Sequence, residues 1–402
     1  MFHRNAFISL MIAGAAIMNL SPAASPALAS EDVPALVQGN TAFGLELYAR
    51  LKETQGNLFF SPHSISTALA MTYAGARGQT EAEMARVLHF SLSQDRLHRA
   101  FAKLEELCGS DASRGYRLSV ANALWVQQGD RLLDEFLELT RANYGAGLRE
   151  VDFRRATEQA RRTINLWVEE QTQGKIRDLL KPDDVDPLTA LVLTNAIYFK
   201  GHWRWKFDAR ETRDGPFTVS PGRQVPVPMM RQKGEFRLGR GNGVQLLELP
   251  YAGDDLSMIV LLPTELDGLA ELEKMLTADN LSRWLATLRD REITVVLPRF
   301  EMTVRFDLSQ VLRSMGMSTA FSGAADFSGI TGNRDLFISK VLHKAFVGVD
   351  EEGTEAAAAT GVVMKRTSVP PVFRADHPFV FLIRHNPTGA VVFVGRLVNP
   401  GT

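Results

Sequence analysis

Residues 350–371 read Asp-Glu-Glu-Gly-Thr-Glu-Ala-Ala-Ala-Ala-Thr-Gly-Val-Val-Met-Lys-Arg-Thr-Ser-Val-Pro-Pro. No ordinary loop is composed this way. Turn positions favour Gly, Pro, Asn, Asp and Ser, whereas the middle of this run is small and nearly featureless. It is also too short for a stable isolated helix, which needs roughly 12–15 residues. Upstream, Leu336 to Val349 reads as a strand. Downstream, Phe379 to Ile383 and Ala390 to Val394 read as a buried hairpin. Gly353 to Pro371 is therefore a long connection between strong strands, and such connections in compact folds are usually functional or disordered.

Further upstream the chain reads as helices first and strands later. Phe43, Leu45, Leu47, Tyr48 and Leu51 follow a helical period. Ser61-Pro62 starts a helix, serine capping and proline occupying the first helical position. Thr80 and Glu83 have the spacing of a capping box. Residues 93–107, 132–144 and 157–172 are amphipathic helices, and 118–126 alternates as a strand. Ala190 to Phe199 is mostly apolar, as a strand buried on both faces would be. Short strands are expected through 213–263, two short helices in 268–287, strands in 292–305 and a helix in 307–315. Without regular β-α alternation this is an α+β fold. No repeat or linker divides it, so residues 30–402 form one domain.

The chain has 402 residues, 45% hydrophobic and 23% charged, with 45 Lys and Arg against 46 Asp and Glu. That balance argues against nucleic acid as the main partner. The single cysteine, Cys108, excludes an intrachain disulfide framework and a cysteine-based zinc site. Arg4, the apolar stretch from Ala6 to Leu20 and the small-x-small Ala27-Leu28-Ala29 have the form of a signal peptide spanning 1–29, cleaved after Ala29. The apolar stretch is short of the roughly 20 residues that span a bilayer, so the mature protein is expected to be secreted or periplasmic, with no membrane attachment.

Catalytic chemistry has no positive signal. There is no Gly-x-Ser-x-Gly elbow and no His-Glu-x-x-His. The glycine-rich run 239–243 lacks dinucleotide spacing and reads as a turn. The eight histidines show no i, i+4 metal pair; His343, in an apolar strand, reads as a hydrogen-bonded core residue. Arg154, Arg155, Arg161 and Arg162 read as a solvated helix face. No cofactor and no metal are expected.

Read together, several segments resemble the serpins, a family of suicide protease inhibitors. Glu351, Glu352, Gly353, Thr354, Glu355, Ala356, Ala357, Ala358, Ala359 and Thr360 match the hinge of inhibitory members. Phe373-x-Ala375-Asp376-His377-Pro378-Phe379-Val380-Phe381-x-Ile383 matches the family signature after the reactive loop. Asn57-x-x-Phe60-Ser61-Pro62-x-Ser64-Ile65, Leu193-Thr194-Asn195-Ala196-Ile197-Tyr198-Phe199-Lys200-Gly201-x-Trp203, Asp326-Phe327-Ser328-Gly329 and His343-Lys344-Ala345 match others. The resemblance runs in order through 35–400.

It implies about nine helices around three β-sheets, an exposed reactive-centre loop at about 353–371, and a monomer that is not an enzyme. The partner it implies is a serine endopeptidase, elastase-like or subtilisin-like first and trypsin-like second; some members also cross to cysteine proteases. The cleaved loop would insert into the main sheet. Strand alternation would then turn Thr354, Ala356, Ala358, Thr360, Val362 and Met364 inward, all small or apolar. Counted from the hinge, the reactive bond is Thr367-Ser368; a shift of one residue makes Arg366 the reactive residue. Glu351 would pair with Arg299. Ser61, Ser64, Asn195 and His343 would form a hydrogen-bond cluster where central strands part, and Lys200 and Trp203 would lie where the loop enters. A non-inhibitory binding or chaperone role is the alternative, although such members often carry bulky, charged or proline-containing hinges, unlike this one. Arg96, Arg99 and Lys103 are interleaved with acidic residues, so heparin-like activation is not indicated.

Overall fold

The computed structural model describes residues 26–109, 115–145, 147–353 and 370–401. Among them are ten α-helices: α1 (Pro26–Leu51), α2 (Pro62–Tyr73), α3 (Gly78–Val87), α4 (Gln94–Cys108), α5 (Asp134–Tyr144), α6 (Thr157–Gln171), α7 (Leu269–Met275), α8 (Ala278–Leu285), α9 (Ser309–Ser314) and the single turn α10 (Ser328–Thr331). The strands are β1 (Leu58–Phe60), β2 (Tyr116–Gln127), β3 (Leu148–Val151), β4 (Leu191–Gly201), β5 (Arg213–Ser220), β6 (Arg223–Gly241), β7 (Val244–Pro250), β8 (Leu256–Pro263), β9 (Arg289–Pro298), β10 (Phe300–Asp307), β11 (Ile338–Val349), β12 (Val372–Arg374), β13 (Phe379–His385) and β14 (Val391–Leu397).

A five-stranded sheet has the order β10-β11-β4-β2-β3, and a nine-stranded sheet runs β1-β14-β13-β8-β7-β6-β9-β12 with β5 on β6. The long β6 joins two lobes of the larger sheet, pairing β5 and β9 along most of its length and β7 at its end. The three sheets of the resemblance are thus the five-stranded sheet and these two lobes. The expected α+β class holds.

The five-stranded sheet is covered on both faces. Ile164 and Val168 of α6, with Ile176, Leu179 and Leu180 after it, pack on Trp125, Ala196, Tyr198, Leu342 and Phe346. The opposite face meets the nine-stranded sheet: Ile197, Phe199, Ala345 and Val347 join Val260, Phe381 and Phe393 in one cluster. Helix α2, buried along its whole length, is packed against β2, β4 and β14. Its start is as the sequence indicates, with the Ser64 amide donating to Ser61 Oγ at 3.1 Å and Pro62 in the first turn. Such double coverage explains the nearly unbroken apolar run of β4.

Three local expectations are corrected. Thr80 and Glu83 do not form a capping box: α3 starts earlier, with Arg77 at the cap position. Tertiary partners take both side chains, Thr80 Oγ1 accepting from the Asp326 amide at 2.9 Å and Glu83 accepting from the amide and hydroxyl of Thr319 at 2.8 Å each. The strands of 213–263 are not all short, since β6 has 19 residues. In the run 239–243 only Asn242 and Gly243 turn. Gly241 lies in β6, where a Cβ would come within 2.4 Å of the Trp284 ring. Cleavage after Ala29 would fall in the first turn of α1, which starts at Pro26.

Candidate functional site: the seam between two parallel strands

Strands β4 and β11 lie side by side and parallel, Ile338 pairing Leu191 and, after a one-residue register shift, Lys340 to Phe346 pairing Val192 to Tyr198. The rest of that sheet's pairing is antiparallel apart from β2 with β3. The seam leads to the start of the unusual stretch, because β11 ends at Val349 and the hinge follows at once.

The end of the seam is clasped. Trp203 donates from its backbone to the Glu352 carbonyl at 3.0 Å and from Nε1 to the Asp350 carbonyl at 2.9 Å. Its indole stacks on Tyr251, 4.6 Å between centroids. The Phe207 amide donates to the Glu351 carbonyl at 2.8 Å. Glu351 accepts from the Thr212 hydroxyl at 2.7 Å and faces Arg299 at 3.7 Å. The expected Glu351–Arg299 pair is present, but it is long and its arginine is half exposed, so it contributes at most about 1 kcal/mol. Lys206 forms an ion pair with Glu352. Gly353 bridges to His202 with φ of +130°; a Cβ there would lie 2.2 Å from the Gly201 carbonyl oxygen. Asp350 accepts from the amides of Glu352 and Gly353, yet burial raises its carboxyl above the usual range. Burial, reinforced by the charges of Lys206 and Lys200, lowers His202. Lys200 lies at this end of β4.

Midway along the seam is a polar cluster in an apolar setting. His343 of β11 and Asn195 of β4 are register partners. The Ser61 amide can only donate, and it reaches His343 Nε2 at 3.3 Å. Nδ1 therefore carries the proton and donates to Asn195 Oδ1. The Asn195 amide group donates to Ser64 Oγ at 2.5 Å and to Asn122 Oδ1, and the Ser61 hydroxyl donates to the Val392 carbonyl at 2.7 Å. Complete burial pushes His343 down to about 3, so it is neutral. The four expected members thus meet, tying β11, β4 and α2 together.

Lys175 lies over both Tyr198 and Phe346, 5.6 and 5.5 Å from their ring centroids, and Lys344 donates to the Arg177 carbonyl at 2.6 Å. The segment after α6 is therefore held across the same seam.

Sequence reasoning missed Asn122, Lys206, Thr212 and Tyr251. Asn122 had a signal, a lone amide inside the apolar alternation of 118–126. Lys206 had none, because its pairing with Glu352 spans 146 residues. Thr354, Glu355, Ala356, Ala357, Ala358, Ala359, Thr360, Arg366, Thr367 and Ser368 lie outside the described residues. Beyond them the chain is anchored by the Thr294 amide, which donates to the Pro371 carbonyl at 2.9 Å, and by β12. His377 of the signature is buried, its Nε2 bonded to the Pro263 carbonyl at 2.9 Å.

Elsewhere the core-histidine reading of His343 holds, and Arg161 and Arg162 pair with Glu158 on a helix face. Arg96, Arg99 and Lys103 pair with Asp32, Asp95 and Glu106. Cys108 is buried. Among the described residues no group of three or more His, Cys, Asp or Glu is placed to hold a metal ion, and no helix is long and apolar enough to cross a membrane. What the seam has is a paired run of two parallel strands, fastened midway and at its end.

A family model described as serpin (serine protease inhibitor) matches residues 38–400. The leukocyte elastase inhibitor of Sus scrofa is 46% identical over 380 residues, covering 91% of this chain and 99% of that protein. That of Bos taurus is likewise 46% identical over 380 residues, with the same coverage. The crystal structure of uncleaved ovalbumin is similar with a TM-score of 0.83 and 35% identity, over 91% of this chain and all of that one.

Proposed function

The chain belongs to the serpin family of protease inhibitors, and from that premise we propose that it is a suicide inhibitor of serine endopeptidases whose cleaved loop becomes a new strand between β4 and β11. The observation that carries this reading is the parallel β4–β11 pair with the hinge at its end. A chain that leaves β11 and folds back runs antiparallel to β11. Because β4 is parallel to β11, the returning segment is antiparallel to both, the more stable pairing.

The protease serine attacks the Thr367 carbonyl carbon. The Thr367–Ser368 C–N bond breaks, the Ser368 amine leaves with a proton, and Thr367 is held as an ester to the protease. Insertion outruns water, and the attached protease is carried along. About a dozen inserted residues at roughly 0.5–1.5 kcal/mol per hydrogen bond give on the order of 10 kcal/mol. Burying Val362 and Met364 adds about 1.5–3 kcal/mol each. No proline lies between 353 and 369 to interrupt the ladder. Some 15 residues at about 3.3 Å each move the protease roughly 50 Å. The native state is accordingly a kinetic trap. Its fastenings are Trp203, Lys200, Glu351 and Arg299 at the open end, and Ser61, Ser64, Asn195 and His343 midway.

Threonine before the bond suits an elastase-like or subtilisin-like pocket, and the relatives named as elastase inhibitors support that order. A trypsin-like target would cut after Arg366. Residues 1–29 act as the export signal; the shared family domain begins only at 38.

The test mixes the protein with elastase, subtilisin and trypsin separately, followed by denaturing gels and the mass of the released C-terminal fragment. A denaturant-resistant complex with a fragment starting at Ser368 is expected. A fragment starting at Thr367 moves the reactive residue to Arg366. Cleavage without complex by all three contradicts inhibition.

A further inference from the structure

We propose that the Asn242–Gly243 turn is a site of spontaneous deamidation in the folded protein, and that its isoaspartyl product loosens the end of the β6–β7 hairpin. The inference stands apart from the inhibitory reading.

The sequence singles the pair out. Asn242 is the one asparagine of the chain that glycine follows. Deamidation starts when the backbone nitrogen of the next residue attacks the asparagine side-chain carbonyl carbon, so bulk on that next residue obstructs it. Glycine has no Cβ to stand in the way. Asn386 and Asn399 precede proline, whose nitrogen has no proton to give up.

The structure leaves this pair open to reaction. Strands β6 and β7 close at Gly241 with Val244, so Asn242 and Gly243 form a two-residue connection. Both are exposed, and a Cβ on Gly243 would meet nothing within 4 Å. Other asparagine amides are held. Those of Asn143, Asn165 and Asn280 lie in helices and donate to the carbonyls of Leu139, Leu180 and Met275 at 2.9, 2.9 and 2.6 Å. Asn333 is exposed as well, but arginine follows it, which makes it the internal comparison.

The reaction needs only base and water. Gly243 gives up its amide proton, its nitrogen bonds to Asn242 Cγ, and the bond from Cγ to the side-chain nitrogen breaks with loss of ammonia. One water then opens the cyclic imide. Opening at Cγ gives aspartate. Opening at the main-chain carbonyl carbon gives isoaspartate, whose backbone runs through the side chain and is longer by one methylene. Either product makes the chain one charge more negative than its present −1.

Both arms of the turn are fixed, so the hairpin cannot absorb that methylene freely. Gly241 fits against Trp284 of α8 so closely that a Cβ would lie 2.4 Å from the ring. On the other arm the Thr264 amide donates to the Gly243 carbonyl at 2.9 Å, and Val244 is buried. A longer connection must displace one of these contacts.

The test incubates the full chain, folded and denaturant-unfolded, near neutral and at mildly alkaline pH, then digests it for peptide masses. A purified methyltransferase specific for isoaspartyl carboxylates, supplied with labelled S-adenosylmethionine, marks the isoaspartyl product. In the folded protein the amide-to-acid mass gain at Asn242 should be at least tenfold faster than at Asn333 or any other asparagine, about 1.4 kcal/mol in barrier. It should quicken with pH, and the label should fall on the same peptide. Aged wild type should melt a few degrees below fresh protein. Fresh Asn242→Asp, which adds the charge without the methylene, should melt with fresh wild type, and Asn242→Ser should age without the mass gain or the lowered midpoint. An intact Asn242 in the folded protein, at times when the unfolded chain has converted, overturns the site; so does conversion at Asn333 at an equal rate. Isoaspartate at 242 with an unchanged midpoint overturns the loosening of the hairpin.

Discussion

At the scale of single residues, Gly353 at the end of the seam and His343 midway along it carry the sharpest predictions. Gly353 combines φ of +130° with backbone on the side where a Cβ would stand. Gly353→Ala should cost about 1–3 kcal/mol through strain at that angle, and more if Gly201 cannot retreat. A thermal midpoint several degrees below wild type is expected; one within a degree would show that the bridge to His202 does not hold the hinge. His343 provides a pH dependence. Burial lowers it from its ordinary 6.5 to about 3 in the folded protein. The unfolded chain therefore binds its proton first, so the stability is fully present above about pH 6.5 and is lost as pH falls toward 3. His98, lowered by burial to about 4, adds in the same direction. Urea midpoints between pH 7.5 and 5 should fall more steeply for wild type than for His343→Gln, and parallel slopes would refute a neutral buried His343. These residues were unequally legible. A histidine in an apolar strand announces a satisfied core group, whereas its asparagine and serine partners came together only through the family resemblance. Thr80 and Glu83 show the opposite case: a local pattern fitted a cap, but partners more than 200 residues away claimed both side chains.

At the scale of elements, the apolar runs were the readable part. β4, β13 and β14 follow from composition because they are buried on both faces. β6 did not, since Pro226, Pro228 and Gly234 look like breaks. Its proline-containing half pairs chiefly with β5, and a proline's missing N–H is tolerated where a strand is paired on one side only. The ten helices among the described residues, the shortest being the four-residue α10, agree with the expected count of about nine. In the proposed mechanism the decisive element is the strand that the cut loop would form. In the proposed insertion Thr354 would be the first inward residue, so Thr354→Arg would place an unpaired charge in a packed interior. The variant should be cleaved at an undiminished rate and trap no protease. A stable complex formed by Thr354→Arg would contradict the inward assignment.

At the scale of the whole molecule, inhibition by insertion requires a native arrangement that is not the most stable one available to the chain. In the proposed mechanism the five-stranded sheet, with its parallel seam, its hydrogen-bonded cluster and the segment held by Trp203 and Phe207, is the state that insertion would replace. The most direct test is the thermal midpoint before and after the loop is cut by a protease that is not trapped. Insertion worth on the order of 10 kcal/mol, at roughly 2–4 °C per kcal/mol for a large domain, predicts a rise of about 20 °C or more on cleavage. An unchanged or lowered midpoint would mean that the cut loop stays outside the sheet, and would contradict inhibition by insertion.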